Sequence, residues 1–600
     1  MIAGVQALLA AYRSGATTPV EVIEEVIRRR RASPREAWIS EVEEEALRAR
    51  AAGLSQQDPA SLPLYGVPFA IKDNIDLAGL PTTAACPAYS YSPERSATVV
   101  QRLLDAGAIA LGKTNLDQFA TGLVGTRSPY GACANAFDPD FISGGSSSGS
   151  ALAVAKGIAS FALGTDTAGS GRVPAAFNNL VGYKPTLGLL STQGVVPACR
   201  TLDAVSVFAL TADDAALVAG VAAGFDAGDP FSRQPRLSPR RGWSLQQGTR
   251  VAVPLPAQRE FFGNSAYAQL FEQAISRVRT LGAAVREVDI SVLLEAARLL
   301  YGGPWVAERH HTAGALLAGD PEALLPAIRQ IIGGATRFTA TDGFAAQYRL
   351  QELRRASEPL WEQADVLLLP TAGTHFTLAE VQAEPIARNT DLGHYTNFVN
   401  LLDLAAVAVP AGFTAAGLPF GVSLIAPAFE DQDLLRFAAR LHHAAGGRLG
   451  AIDPPVTMAA QSAGIAQPSE AEGFVDVAVC GAHMSGLPLN WQLTARGARL
   501  VATTRTTPDY RLYALPGGPP SRPGLVKLPG EGAAIEIEVW RMPVERFGDF
   551  VTGIPAPLGI GRMRTEEGRE ACGFLCEWSA TREATDITTF GGWRAWLARR

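Results

Sequence analysis

The sequence predicts an α/β protein, a mixed sheet core surrounded by helices, followed by a smaller β-rich α+β domain. Three observations carry this. From 64 to about 210, short apolar β-like runs (VPFAI, AIALG, ASFALG) alternate with stretches of helical period such as SATVVQRLLDAG. From 474 onward the texture changes to alternating β-type segments joined by Gly/Pro turns. Between them, residues 451–473 (AIDPPVTMAAQSAGIAQPSEAEG) are poor in aromatics and rich in Ala, Pro, Ser and Gln, the composition of a linker. Six hundred residues also exceed what one core supports. The expected division is 1–450, a linker over 451–473, and 474–600.

The elements follow in order. The first ~55 residues carry apolar positions at helical spacing among many Glu and Arg (VEVIEEVIRRRRASP, VEEEALRARAAG). Arg28 to Arg31 follow Glu24 and Glu25, so they read as a solvated helix face. VPFAI is a strand, with Lys72 at its end. Helices are expected through the 260s to 350s, then a buried strand at VLLLP (366–370). AAVAVPAGFTAAGLPFGVSLIAP (405–427) reads as strand, turn and strand, and DQDLLRFAARLHHAAG as the helix closing the first domain. In the second domain FVDVAVCG, ARLVATT, YRLYAL, AAIEIEVWRMP and ACGFLCEW are the expected strands.

Composition narrows the function classes. Charged residues make up 18% and the net charge is −6, so no basic surface advertises nucleic acid or anionic membrane as a partner. Six scattered cysteines suggest no disulfide framework, and no Cys or His near Cys572 and Cys576 completes a zinc site, so no metal is expected. The opening MIAGVQALLAAY lacks a basic, cleavable leader pattern, and no apolar run reaches a membrane span; a cytoplasmic location is expected. Only Lys72, Lys113, Lys156, Lys184 and Lys527 occur, against 47 arginines. Where arginine is the default cation, a lysine is a candidate for chemistry that needs a removable proton.

The chemistry concentrates between Gly144 and Arg172, GGSSSGSALAVAKGIASFALGTDTAGSGR: two glycine-serine loops flank an apolar stretch of helical length. The first groups Ser146, Ser147 and Ser148; the second places Ser170 behind Thr165, Asp166, Thr167, Ala168 and Gly169. Small residues around a hydroxyl let backbone N–H groups be aimed at a substrate. With Lys72 upstream, such a set can perform serine-lysine acyl transfer.

At these residues the chain resembles the amidase signature family. Lys72 stands in the family's strand-end lysine motif, GGSSSGS matches its GGSSGGS loop, and GTDTAGSGRVPAAFNNLVGYKPT matches the block containing the nucleophile. The resemblance covers roughly residues 1–450. Ser148 and Ala168 replace usual glycines, and Ala168 restricts the loop's backbone more than glycine would. The resemblance implies Ser170 as nucleophile, Ser146 as the serine relaying protons after a cis Gly145–Ser146 peptide, and Lys72 as general base. It further implies an oxyanion hole from the amides of Thr167, Ala168, Gly169 and Ser170.

LYGGPWVAERHH (300–311) and DQFATGLVGTRSPYG (117–131) look like the allophanate hydrolase branch. In that branch a tyrosine and an arginine eight residues apart bind the substrate carboxylate, which corresponds to Tyr301 and Arg309, and Gly122 would line the pocket. A guanidinium and a phenol can hold a small carboxylate and present the far amide to a nucleophile. The reaction implied is hydrolysis of allophanate (urea-1-carboxylate) to ammonia and N-carboxycarbamate, with carbon dioxide lost afterwards. An amidase for another small amide and a glutamine-hydrolysing amidotransferase subunit remain open as alternatives.

The C-terminal stretch VAVCGAHMSGLPLNWQL resembles the C-terminal domain of allophanate hydrolases, itself similar to the γ-glutamyl cyclotransferase fold, as do GDFVTGIPAPLGIGRM and GFLCEW. It holds one histidine, His483. In some members such a histidine is credited with decarboxylating N-carboxycarbamate; a hydrogen-bonding loop histidine in a structural domain is the other reading. His310, His311, His442 and His443 form two pairs without metal-ligand spacing and read as structural or surface residues. The resemblance implies no cofactor, a homodimer and a pathway link to urea carboxylase, with s-triazine breakdown as the other source of allophanate.

Overall fold

The computed structural model describes residues 4–234, 243, 248–458 and 474–599. Its contacts divide the chain into two units, one built on 4–234 and 248–458, the other on 474–599.

The first unit is organised by a mixed sheet of eleven strands: β1 (Trp38–Glu41), β2 (Pro68–Lys72), β3 (Ile109–Thr114), β4 (Phe161–Asp166), β5 (Val181–Lys184), β6 (Ala204–Ala209), β7 (Arg250–Pro254), β8 (Ala284–Val288), β9 (Val366–Pro370), β10 (Leu404–Phe413) and β11 (Pro419–Pro427). Their order across the sheet is β1-β3-β2-β4-β6-β5-β10-β11-β9-β7-β8. β2 runs parallel to β3 and β4, while β10 and β11 form a long antiparallel hairpin. The central strands are buried on both faces, which explains their continuous apolar runs rather than a polar-apolar alternation. Phe69 of β2 stacks on Phe161 of β4 with ring centroids 5.0 Å apart. This fixes the register that brings the C-terminal ends of β2 and β4 side by side, and in α/β sheets such strand ends are where ligands sit. The helix Ser148–Ala155 is buried all round, as its lack of a polar face requires.

Three features depart from the expectations. WISE forms β1 inside a region of helical period, because Trp38–Glu41 finds a long-range partner in β3. Arg28, Arg29 and Arg31 pair with Glu25 and Glu44 as a solvated face would, but Arg30 is buried and donates to the carbonyls of Val42 and Leu111. The expected linker begins too early at 451: Ala451 N donates to Ala155 O, Ile452 is fully buried, and Val456–Thr457 pairs with Arg448–Leu449. Residues 459–473 of that stretch lie outside the described residues.

The second unit has a five-stranded sheet in the order Arg499–Arg505, Glu536–Pro543, Phe474–Val479, Glu570–Cys576, Leu558–Arg564. A three-stranded sheet of Pro523–Lys527, Tyr510–Ala514 and Thr585–Asp586 accompanies it. Ala478, Leu512, Ile537, Met563 and Trp593 share one of its cores.

Candidate active site

Lys72 ends β2 and is completely buried. Its Nζ donates to Ser146 Oγ at 2.7 Å and to Thr165 Oγ1 at 2.8 Å; Thr165 sits near the end of the adjacent β4. Burial lowers the Lys72 ammonium from 10.5 to about 7, against the opposing pull of Asp117, Asp203 and Asp166. The lysine is therefore half neutral near pH 7 and can act as a base.

Ser146 follows a cis Gly145–Ser146 peptide, the geometry the resemblance implies. Gly145 is packed so tightly that a Cβ there would lie 2.2 Å from Asp117 Oδ2. Ser148 opens the buried helix Ser148–Ala155, so the serine that replaces glycine sits in ordinary helical backbone.

Ser170 is buried, and its hydroxyl donates to Gly122 O at 3.4 Å and not to Ser146. The expected relay thus has its Lys72–Ser146 link formed, while the Ser170 hydroxyl is turned toward the 120–122 backbone. Rotation about the single Cα–Cβ bond is what re-aims such a group.

The Ser170 loop is held by a clamp that the serine motifs alone do not reveal. Asp166 accepts from Arg172 Nε and Nη2 at 2.9 Å each, and from the amides of Gly169 (2.9 Å) and Gly171 (3.0 Å). Burial alone would raise the Asp166 carboxyl; the Arg172 charge and these hydrogen bonds hold it below its usual range. Asn400 Nδ2 locks the Asp166 carbonyl at 2.7 Å. Two charges six residues apart around the serine were the signal available in the sequence.

The clamp corrects the expected oxyanion hole. The Gly169 N–H points at Asp166, so three amides, those of Thr167, Ala168 and Ser170, are left without a hydrogen bond among the described residues. Gly169 has φ +129°, and a Cβ would lie 2.5 Å from Thr396 Oγ1, so glycine is required there. Ala168 is not among the positive-φ residues, which is why alanine replaces glycine without strain. Thr167 bonds through its hydroxyl to Asp203, whose carboxyl burial pushes up to about 6.

Tyr301 and Arg309, the pair the resemblance implies, are in contact: Arg309 Nη2 donates to the Tyr301 phenol oxygen at 3.3 Å, and the guanidinium lies 5.1 Å from the ring centroid. Arg309 is 2% exposed. Its Nη1 donates to Thr121 Oγ1 (2.9 Å) and Ala120 O (3.3 Å), its Nε has no partner, and no carboxylate of the described residues lies within ion-pair distance. Because Gly122 carries the carbonyl facing Ser170, the three-residue stretch 120–122 joins the guanidinium to the serine. A Cβ on Gly122 would lie 2.6 Å from Asp117 Oδ2, so glycine keeps this stretch closed on Asp117.

In the second unit His483 stacks on Phe574 (4.9 Å) and bonds through Nε2 to Gln492 Oε1 at 2.9 Å. It lines a largely apolar cavity of about 230 Å³ with Gln492, Leu489, Arg522, Ile554 and Phe574. Burial lowers its imidazole below the usual range, so the resting ring is neutral at pH 7. Of the other histidines, His442 is buried and lowered to about 3, and His443 bonds Asp213 at 3.0 Å.

The family model for amidases matches residues 21–435, and that for the allophanate hydrolase C-terminal domain matches residues 475–598. Urea amidolyase of Saccharomyces cerevisiae is 45% identical over 573 residues, covering 94% of this chain. The chain spans only 31% of that relative's length. One component of the glutamyl-tRNA(Gln) amidotransferase of Methanosarcina acetivorans is 34% identical, over 63% of this chain and 84% of its own. The selenomethionine-substituted allophanate hydrolase of Kluyveromyces lactis superposes with a TM-score of 0.80 at 42% identity, covering all of both chains. With a match over more than two thirds of its residues that includes the loops carrying Lys72, Ser146 and Ser170, this chain belongs to the amidase family.

Proposed function

We propose that the protein is an allophanate hydrolase that works through Lys72, Ser146 and Ser170. The observation that carries the substrate class is Arg309: a buried guanidinium with no carboxylate partner, tied through residues 120–122 to the nucleophile. An unpaired buried cation is costly and is relieved by an anionic ligand. The carboxylate of allophanate supplies it, with the Tyr301 phenol as a second donor. A neutral amide leaves the guanidinium unpaired and is rejected.

Neutral Lys72 takes the Ser146 proton as Ser146 takes that of Ser170, and Ser170 Oγ attacks the urea carbonyl. The amides of Thr167, Ala168 and Ser170 face the developing oxyanion. The proton returns through Ser146 to the leaving nitrogen and ammonia departs. Water, activated by the same relay, frees N-carboxycarbamate from the acyl-Ser170 intermediate.

The second unit takes the next step in this reading. An apolar cavity favours loss of carbon dioxide because the carboxylate to be lost is poorly solvated there, whereas the carbon dioxide that leaves is neutral and the electron pair stays on nitrogen. A dianion beside His483 raises the imidazole's affinity for a proton, which it passes to nitrogen as the C–N bond breaks. The urea amidolyases, of which this chain spans a part, support a pathway link to urea carboxylase, whose product is allophanate. A cytoplasmic homodimer completes the proposal; light scattering at twice 63.2 kDa tests the dimer. Among the described residues no helix is long and apolar enough to cross a membrane.

The test is ammonia release from allophanate by the full chain and by Ser170→Ala and Lys72→Ala. Both variants are expected to be inactive; near-normal turnover by either overturns the mechanism.

A further inference from the structure

A second guanidinium stands beside Arg309 without an acidic partner. Arg127 is 3% exposed. Its Nη1 donates to Thr121 O at 2.9 Å and its Nη2 to Pro385 O at 2.5 Å, while its Nε has no partner. Arg127 and Arg309 therefore grip the same residue, Thr121, one through the carbonyl and the other through the hydroxyl. Asp117, the acid that acts most strongly on Arg127, accepts instead from the amides of Val124, Gly125 and Arg127 itself. Arg127 also lines a cavity of about 200 Å³ together with Tyr301, Arg337, Gln330, Asn389 and Thr390. No carboxylate of the described residues lies within ion-pair distance of Arg127 or Arg337.

Two adjacent buried cations repel each other, so this arrangement is poor architecture for the empty protein. It suits a ligand whose charge grows. Resting on the reading above, the substrate brings one negative charge, the tetrahedral intermediate adds a second on oxygen, and the product is a dianion. Arg309 alone balances only the first.

We infer that Arg127 is a specificity-determining residue, the second cation of a site that prefers dianions of the dicarboxylate type to the corresponding monoanions. It acts through its charge beside Tyr301 and Arg309. The preference stabilises the doubly charged intermediate and product relative to the bound substrate.

Malonate and malonamate test this, because they are the CH₂ analogues of the dianionic product and the monoanionic substrate. Their dissociation constants are measured by calorimetry on the full chain carrying Ser170→Ala, so that malonamate is not consumed. Malonate is expected to bind about ten-fold or more tightly than malonamate. Adding Arg127→Gln should abolish that preference by weakening malonate, with malonamate changed by less than about three-fold. Arg127→Lys, which retains the charge, should keep most of it. Absence of the preference in the parent chain, which needs no variant at Arg127 to fold, overturns the inference. So does equal weakening of both ligands by Arg127→Gln, the result for a mere loop staple. Arg309→Gln separates the two levels: if it leaves malonamate binding intact, the carboxylate site itself is wrong, whatever Arg127 does.

Discussion

Lys72 gives the most searching prediction, because its protonation can be followed both by rate and by spectroscopy. Burial brings it to about 7 from 10.5, so its neutral fraction is about 0.9 at pH 8, about 0.1 at pH 6 and about 0.01 at pH 5. The sign is that of a base: activity is retained above pH 7 and lost below it. kcat/KM for ammonia release should fall about ten-fold from pH 8 to pH 6, and a further ten-fold to pH 5. Lys72→Arg keeps the positive charge and the donors to Ser146 and Thr165 but cannot become neutral. It should lose about 10²–10⁴ in rate and show no ascending limb near pH 7. The five lysines make the group directly visible in the ¹³C-lysine-labelled chain, where the signal missing from the Lys72→Arg spectrum identifies it. Lys184, also buried and lowered to about 8, provides an internal comparison. A Lys72 signal that titrates near 10, or an activity profile flat between pH 6 and 8, would refute the base assignment.

Three substitutions probe the surrounding geometry. Gly169→Ala places a Cβ against Thr396 at φ +129°, so kcat should fall by about 10²-fold or more while substrate binding changes little. Asp166→Asn leaves Arg172 buried without its carboxylate and should cost about 3–5 kcal/mol of stability in the first unit, read as a drop in its denaturation midpoint. Arg309→Gln should lower kcat/KM for allophanate by about 10²-fold or more and leave the feeble turnover of acetamide unchanged; an equal loss on both substrates would mean that Arg309 only supports the fold.

The sequence was most informative where the chemistry depends on local spacing. VLLLP is a strand over Val366–Pro370, and the helix read at 431–446 spans Asp431–Ala445, because long apolar runs and strong helical period leave little ambiguity. β1 is not legible in the local pattern because its identity depends on β3, more than seventy residues away. The strands Leu558–Arg564 and Pro523–Lys527 were hidden by glycine and proline, which weaken β patterning. The same division runs through the site. Lys72, Ser146 and Ser170 each sit in a recognisable loop or strand end, and Asp166 and Arg172 bracket the serine at a visible spacing, whereas Asp117 and Arg127 act through contacts that spacing does not reveal. The hydrogen bond that ties the Gly169 amide to Asp166, and so away from the expected oxyanion hole, belongs to that second class, since only the folded loop turns this amide onto Asp166.

The central claim is that a serine-lysine amidase is directed to allophanate by a buried, unpaired arginine. The ratio of kcat/KM for allophanate to that for acetamide and for glutamine, measured as ammonia release by the unmodified chain, tests it most directly. Allophanate should be favoured by about 10⁴-fold or more, the discrimination reached when a buried polar group is left unpaired by the wrong substrate. Comparable turnover of acetamide or glutamine would contradict the claim.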